Sequence, residues 1–431
     1  MNSYVINMES REELIDIVRG NGDQNPLIFL DSQLPEHPSN KNSWLFNGFE
    51  RILTYKNGIA TQIDGSGNKV SSVKLDPWEA LTTFRKEYPG YHCGYFGYDL
   101  KNYSEELISR NADVIGMPEF WIGRASKIYC YSVGDGEELK KVQSNRVIEN
   151  ESKPSFRVDF KKIISKQEYL DKIKAAQKLI HDGDIYEVNL SHQIEAEFEG
   201  SPVDLYQSMY HRGPVPYAAY LNLGDIVVCC ASPERFLKKN GKNLISDPIK
   251  GTRPRGENEI SDSRIKKELF ESEKDKAENL MIVDLVRNDL SRVSKQGSVR
   301  VTSLFDVQSF GTVHQLVSRV ESEISDNVTQ EQAISNCFPM GSMTGAPKIR
   351  AMEVIDELEN YHRGIYSGAI GFFDPAGDFN FNVVIRSAII KKNNLWYSAG
   401  GAITSDSEPN QEWIETLVKI RALGLDLSEF E

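Results

Sequence analysis

Strand-like segments run in groups along this chain, with helical segments inserted between the groups, and strict strand–helix alternation is absent. Short apolar runs at 27–30, 44–46, 51–55 and 58–63 are separated by turn residues, including Asn47-Gly48 and Asn57-Gly58. Asn-Gly between such runs signals a hairpin, because both residues tolerate the left-handed backbone a tight turn requires. A doubly wound parallel sheet needs a crossover helix after nearly every strand. The pattern therefore predicts an α+β fold built on large antiparallel sheets.

Further along, 77–88 reads as a short helix with Trp78, Leu81 and Phe84 inward, and the Gly/aromatic run 91–100 and the stretch 127–133 read as strands. The polar, unpatterned stretch 134–154 reads as a surface excursion that separates an N-terminal portion, 1–150, from a second portion, 155–431, with which it is expected to share one core. A capping-box sequence at Ser165 opens a helix with Tyr169, Ile173, Ala176 and Ile180 on one face. Strands are expected at 183–191, 217–223 and 225–230, with a helix at 202–210, and 260–293 reads as one long helical region. A Gly-rich loop at 338–348 opens a helix through Glu359; strands at 366–374, 378–391 and 394–399, a glycine turn at Gly400-Gly401 and a helix from Pro409 to Leu423 complete the chain.

With 431 residues, 39% of them hydrophobic, the chain can bury a large core. A net charge of −13 with both signs interspersed argues against sequence-independent nucleic-acid binding and against anionic membranes, though a local basic pocket can still take an anionic substrate. The five cysteines show neither scaffold spacing nor a C-x-x-C pair, so a disulfide framework and a cysteine zinc site are not expected; a cytoplasmic setting is. The N-terminus lacks the pattern of a signal peptide, and no window has the unbroken apolar length of a membrane helix.

Several stretches carry chemistry. In D-P-I-K-G-T-R-P-R-G (247–256), Lys250 stands close to Arg253 and Arg255, whose positive field would favour a free, nucleophilic amine. Asp275 with Glu278, and Glu412 with Glu415, are i, i+3 pairs on helical segments, so each pair shares a helical face and can aim two carboxylates at one point. Two such pairs across a cleft would suit magnesium, a hard cation that keeps part of its water. The loop G-S-M-T-G-A-P-K resembles an anion cradle but lacks the G-K-[ST] ending of a nucleotide-binding P-loop. The Gly400-Gly401 amides and Arg386 could each hold a carboxylate. His314 has no sequence partner suggesting a metal or a triad and reads as structural.

In order along the chain come S-P-E-R-F (232–236), P-I-K-G-T-R-P-R-G, D-K-A-E-N-L-M-I-V-D-L-V-R-N-D-L-S-R-V, G-S-M-T-G-A-P-K, G-I-Y-S-G-A-I-G-F with N-F-N-V-V-I-R-S, and G-G-A-I-T-S-D-S-E-P with E-W-I-E-T. Together they resemble the chorismate-utilising enzymes, strongly over about 165–423 and loosely before that. That resemblance implies large antiparallel sheets packed as a two-layer β core with helices outside. Within the family, P-I-K-G-T is the pattern of the aminodeoxychorismate synthases, while anthranilate synthases typically carry alanine at the place of Lys250. Lys250 would then attack the chorismate ring and expel the 4-hydroxyl, before ammonia displaces the lysine. Glu234 would protonate the departing hydroxyl and then act as base for ammonia. Glu278 and Glu415 would ligate magnesium directly, with Asp275 and Glu412 acting through water. Tyr366, Arg386, Lys419, Gly400 and Gly401 would hold the substrate's carboxylates, and Thr344 would line the same pocket.

Ammonia would come from a glutamine amidotransferase partner, since the chain carries no glutaminase sequence of its own. The product would serve 4-aminobenzoate and folate synthesis. Ser32, Pro216 and Tyr217 match parts of a pocket in which some relatives bind tryptophan. Three positions depart from the family pattern. Glu187 stands where water-adding relatives have lysine and amino-transferring ones usually glutamine; Gln315 replaces a histidine tied to pyruvate elimination, with His314 one place early; and Ala402 stands where glycine is frequent. An anthranilate synthase component and a non-catalytic chorismate-binding regulator are the competing readings.

Overall fold

The computed structural model describes residues 4–21, 25–34, 37, 42–132, 155–310 and 313–424. Within them, 21 strands are hydrogen-bonded into one continuous sheet system, antiparallel except where Tyr4–Asn7 runs parallel to Phe120–Ser132. The expected excursion at 134–154 lies outside the described residues.

Alternation along the strands explains why one sheet system can support several cores. In Tyr217–Asn222, Ala218 and Tyr220 face one apolar cluster while Ala219 and Leu221 face another. Successive side chains point to opposite faces of a strand, so a strand with apolar residues at every position is covered on both sides. The interior cluster is made by strand residues such as Ile28, Phe46, Tyr95, Trp121, Val228 and Ile389. Helices Lys166–His181, Pro202–Arg212, Lys348–Leu358 and Pro409–Ile420 cover one outer face, and Pro77–Glu87, Glu273–Ser291 and Gln330–Cys337 another. Antiparallel sheets packed on each other with helices outside are the expected α+β architecture.

The two portions of the chain are interleaved. Ala218 pairs with Asp31, and Ile370 with Tyr95, so strands before and after 150 lie side by side.

Four local expectations are corrected. Asn57-Gly58 does turn a hairpin, with φ of 52° and 79°, but Asn47-Gly48 stays inside the strand Asn42–Lys56. There the left-handed Gly48 precedes a bulge, and pairing with Phe120–Ser132 resumes beyond it. The helical region 260–293 is two helices, Glu259–Glu271 and Glu273–Ser291, broken at Ser272, whose ψ of 107° is extended and whose hydroxyl accepts a hydrogen bond from the Asp275 amide. A serine that caps a new helix is a better partner for its amides than a continued turn would be. The stretch 378–391 is interrupted between Phe379–Asn382 and Ser387–Lys391, with Arg386 at a φ of 51°. Gly400 and Gly401 lie within the strand Asn394–Ile403, paired with Ser191 and Leu190, and form no turn.

Candidate active site

Lys250 lies on the strand Ile249–Pro254, its side chain only 10% exposed. Its Nζ donates a 2.8 Å hydrogen bond to Glu187 Oε1, on the first residue of the strand Glu187–Gly200. Gly251 makes this placement feasible, because a Cβ there would meet Asp275 at 2.9 Å, and its φ of 83° also favours glycine. The strand thus lies directly against the helix that carries Asp275 and Glu278.

The expected positive field at Lys250 is not what the fold builds. Arg253 donates to Asp275 Oδ2 at 2.6 Å, and Arg255 makes two bonds to Asp262, at 2.8 and 2.7 Å. Both arginines are partly exposed and neutralised by acids. Around the amine the charges are negative. Burial acts most strongly on Lys250 and lowers its pKa, but Glu187, then Glu278 and Glu234, outweigh burial and hold the pKa above the ordinary lysine value. The resting amine is an ammonium in a carboxylate pocket.

Glu234 follows the strand Ile226–Ser232 in a buried link to the next strand. Ser342 Oγ donates to its Oε1 at 2.7 Å. Burial raises the Glu234 carboxyl to about 7, against smaller lowering effects from the Ser342 bond, Lys250 and Arg386. A carboxyl poised near neutrality can give up a proton and take one back.

Ser342 belongs to the Gly-rich loop, and the loop is not an open anion cradle. The Met343 and Thr344 amides bond to Met340 and Gly341 carbonyls, and Gly345–Ala346 pairs with Val188 and Glu187. Thr344, fully buried, donates its hydroxyl to the loop's own carbonyls at 3.2 and 3.3 Å. It braces the loop that presents Ser342.

The acidic pairs sit on the helices Glu273–Ser291 and Pro409–Ile420. Glu278 is pushed to about 7 by burial, with Lys274 3.9 Å away. Glu412 accepts from Ser407 at 2.8 Å, and burial, followed by repulsion from Glu415, raises it. Glu415 is lowered, chiefly by Lys419, whose Nζ lies 2.6 Å from its Oε1. A Cβ on Gly401 would stand 3.1 Å from Glu412 Oε2 and 3.5 Å from Glu415 Oε1, so this pair does aim at one point, kept open by a glycine. Among the described residues, no three His, Cys, Asp or Glu side chains converge as an ion site. The donor set itself is chemically suited to magnesium: all oxygens, with Glu278 and Glu412 raised by desolvation, a cost that a cation would relieve.

On the substrate side, Arg386 is held at its left-handed backbone position with a guanidinium that feels Glu234, Glu415 and Tyr397 yet makes no ion pair with any described residue. An arginine in that state is a ready carboxylate site. Tyr366 is buried, and burial raises its phenol to about 12, so it stays a hydroxyl donor. Lys419 also donates to the Gly400 carbonyl at 2.6 Å, tying the glycine strand to the acidic helix. A Cβ on Gly400 would strike Leu190 O at 2.4 Å, so this glycine is required by strand packing.

His314 is buried between Ser309 at 2.8 Å and Asp262 at 2.9 Å, a satisfied structural histidine. Gln315 reaches Thr252 at 3.5 Å. Ser32 and Tyr217 are buried near each other's segments: Gln33 and Val215 exchange hydrogen bonds at 3.2 and 3.1 Å, and Arg235 lies 5.1 Å from the Tyr217 ring. Two contacts escaped the sequence reading, Ser342 on Glu234 and Glu187 on Lys250. Each joins residues remote in the chain, 108 and 63 positions apart.

Residues 28–424 match the model of a family described as chorismate binding enzyme. The chain is 42% identical to the chloroplastic aminodeoxychorismate synthase of Arabidopsis thaliana over 65% of its own length, but it spans only 31% of that protein. It is 32% identical to anthranilate synthase component 1 of Thermus thermophilus, covering 92% of this chain and 91% of that one. Its fold superposes on anthranilate synthase component I of Streptococcus pneumoniae with a TM-score of 0.76 and 27% identity, over 90% of this chain and 93% of that structure.

Proposed function

The chain belongs to the chorismate-binding enzyme family, and within it we propose that it acts as component I of an aminodeoxychorismate synthase, converting chorismate and ammonia to 4-amino-4-deoxychorismate. The observation that carries this reading is Lys250, buried in a pocket where the charges of Glu187, Glu278 and Glu234 act on it. A solvated lysine on a basic turn would offer no such chemistry. Relatives named aminodeoxychorismate synthase share 42% to 44% identity with this chain.

In this reading the Lys250 amine forms a bond to a ring carbon while the bond to the 4-hydroxyl breaks. Glu234, near neutrality and oriented by Ser342, gives the departing oxygen its proton. Ammonia then displaces the lysine, and Glu234 takes the proton the new ammonium sheds. Arg386, Tyr366 and the glycine strand braced by Lys419 hold the substrate's carboxylates. Glu278 and Glu415, with Asp275 and Glu412 through water, would hold magnesium. When bound, the ion would neutralise a ring carboxylate. A glutaminase subunit would supply the ammonia.

The test is to incubate the protein with chorismate, magnesium and ammonium, then add the lyase that releases 4-aminobenzoate. Formation of 4-aminobenzoate only after the lyase is the expected result. Formation of 2-aminobenzoate without it would favour the second reading, an anthranilate synthase component, which the 92% and 91% mutual coverage with the Thermus thermophilus protein supports. Absence of turnover would favour a binding-only role.

A further inference from the structure

The Glu187 carboxylate is fully buried and its two oxygens differ. Oε1 accepts from Lys250 Nζ at 2.8 Å, whereas Oε2 is buried without a hydrogen-bond partner. A buried carboxylate oxygen left without a hydrogen-bond partner is costly, and one standing in a cleft beside a nucleophile calls for a role. The strand pairing of Glu187 with Ala346, next to the loop that carries Ser342, fixes its backbone beside the reacting groups. Glu234, another carboxyl acting on Lys250, is in the proposed mechanism committed to the substrate oxygen.

We propose that Glu187 is a catalytic residue, the base reserved for Lys250, which takes the lysine's proton as the carbon–nitrogen bond forms and returns it when the lysine leaves. The inference rests on the covalent-lysine reading. The proton count closes. Glu187 first accepts a proton from the Lys250 ammonium. The free amine bonds to the ring carbon while the 4-hydroxyl departs as water with the Glu234 proton, leaving a secondary ammonium on Lys250. Ammonia bonds to the ring and the lysine leaves as a neutral amine. Glu187 returns its proton to that amine, and Glu234 recovers one from the new ring ammonium. The net change is hydroxyl and ammonia to amine and water. Each carboxylate serves one nucleophile.

The experiment compares wild type, Glu187→Gln and Glu187→Asp, each alone and with Lys250→Ala. Single-turnover formation of the lysine adduct is followed by intact mass, alongside steady-state turnover with ammonium and thermal melting. Glu187→Gln is expected to slow adduct formation at least about 100-fold, in the range of a lost general base. Glu187→Asp should recover part of that loss, and Glu187→Gln should add nothing to Lys250→Ala, because residues acting as one unit are non-additive. An undiminished Glu187→Gln rate, or a double variant showing the full product of both losses, would overturn the inference. Should Glu187→Gln fail to fold, Glu187→Asp decides: a reduced rate supports the assignment and a wild-type rate overturns it. If wild type itself forms no lysine adduct, the parent reading fails and takes the inference with it. A working wild type beside an undiminished variant removes the inference alone.

Discussion

Two buried glutamates in this molecule, Glu359 and Glu187, each face a basic side chain, and their surroundings could hardly differ more. Glu359 accepts from Arg363 at 2.6 and 2.8 Å and from the Ser191 amide and hydroxyl at 2.8 and 2.6 Å. Arg363 spends its other donors on Asn189 O, Met343 O and Ser367 Oγ, at 2.8, 2.8 and 3.1 Å. That pair fastens a strand, the Gly-rich loop and the end of a helix to one another. Glu187 holds Lys250 by one bond and leaves an oxygen empty. In this comparison the fully satisfied pair fixes the fold, and the incomplete one stands beside the reacting groups.

The sharpest break of this contrast is to remove each cation. Lys250→Ala should lower turnover with ammonium by about 1,000-fold or more, roughly 4 kcal/mol of barrier, in a protein that still folds, at a stability cost from the buried Glu187 carboxylate it leaves without its lysine. Arg363→Ala should instead unfold the protein early, at a cost of about 3–5 kcal/mol, because it strands the buried Glu359 charge. Urea melts and the product assay on both variants check this, and a swap of the two outcomes would dissolve the distinction.

Glu234 sharpens it next. As an acid held at about 7, it should make kcat/KM fall with unit slope as pH rises above about 7, and Glu234→Gln should remove that limb along with about 100-fold or more of the rate. The same group works on stability. Its folded pKa lies above its unfolded value, so the stability it contributes is fully present below the ordinary glutamate pKa and is lost as pH rises through about 7. Urea melts from pH 5 to 8 should lose up to about 1.4 kcal/mol per pH unit from this group, less in Glu234→Gln. The smallest effect is expected from Arg255→Ala: under about 1 kcal/mol in stability and under about twofold in turnover, since its charge is committed to Asp262 at the surface. A large loss of turnover there would revive the positive-field account of Lys250.

The fold class was legible because strand alternation and turn residues are local signals, and the motifs were legible because their residues lie close together in sequence. Legibility failed where an outcome depended on direction or on distant partners. Arg253 follows Lys250 by three places, yet alternation and the bulge between Ile249 and Thr252 send it to Asp275, which neutralises its charge. Asn47-Gly48 carries the same turn signal as Asn57-Gly58, but the former is overruled by a partner strand that continues past it. Gly400-Gly401 looked like a turn because glycine marks both turns and close packing, and only the carbonyl of Leu190 distinguishes them. The pairing of Glu187 with Lys250 had no sequence signal beyond an acid where one is unusual.

The break at Ser272 has a consequence for how this family can vary. By restarting the helix, it sets the rotational phase of Asp275 and Glu278 afresh, independent of everything upstream. Lengthening or shortening the Glu259–Glu271 helix would leave both acids facing the same way. One residue inserted between Ser272 and Asp275 would swing them about 100° around the axis, out of the cleft. Helix length upstream of that serine and the direction of the acids downstream of it are thereby uncoupled.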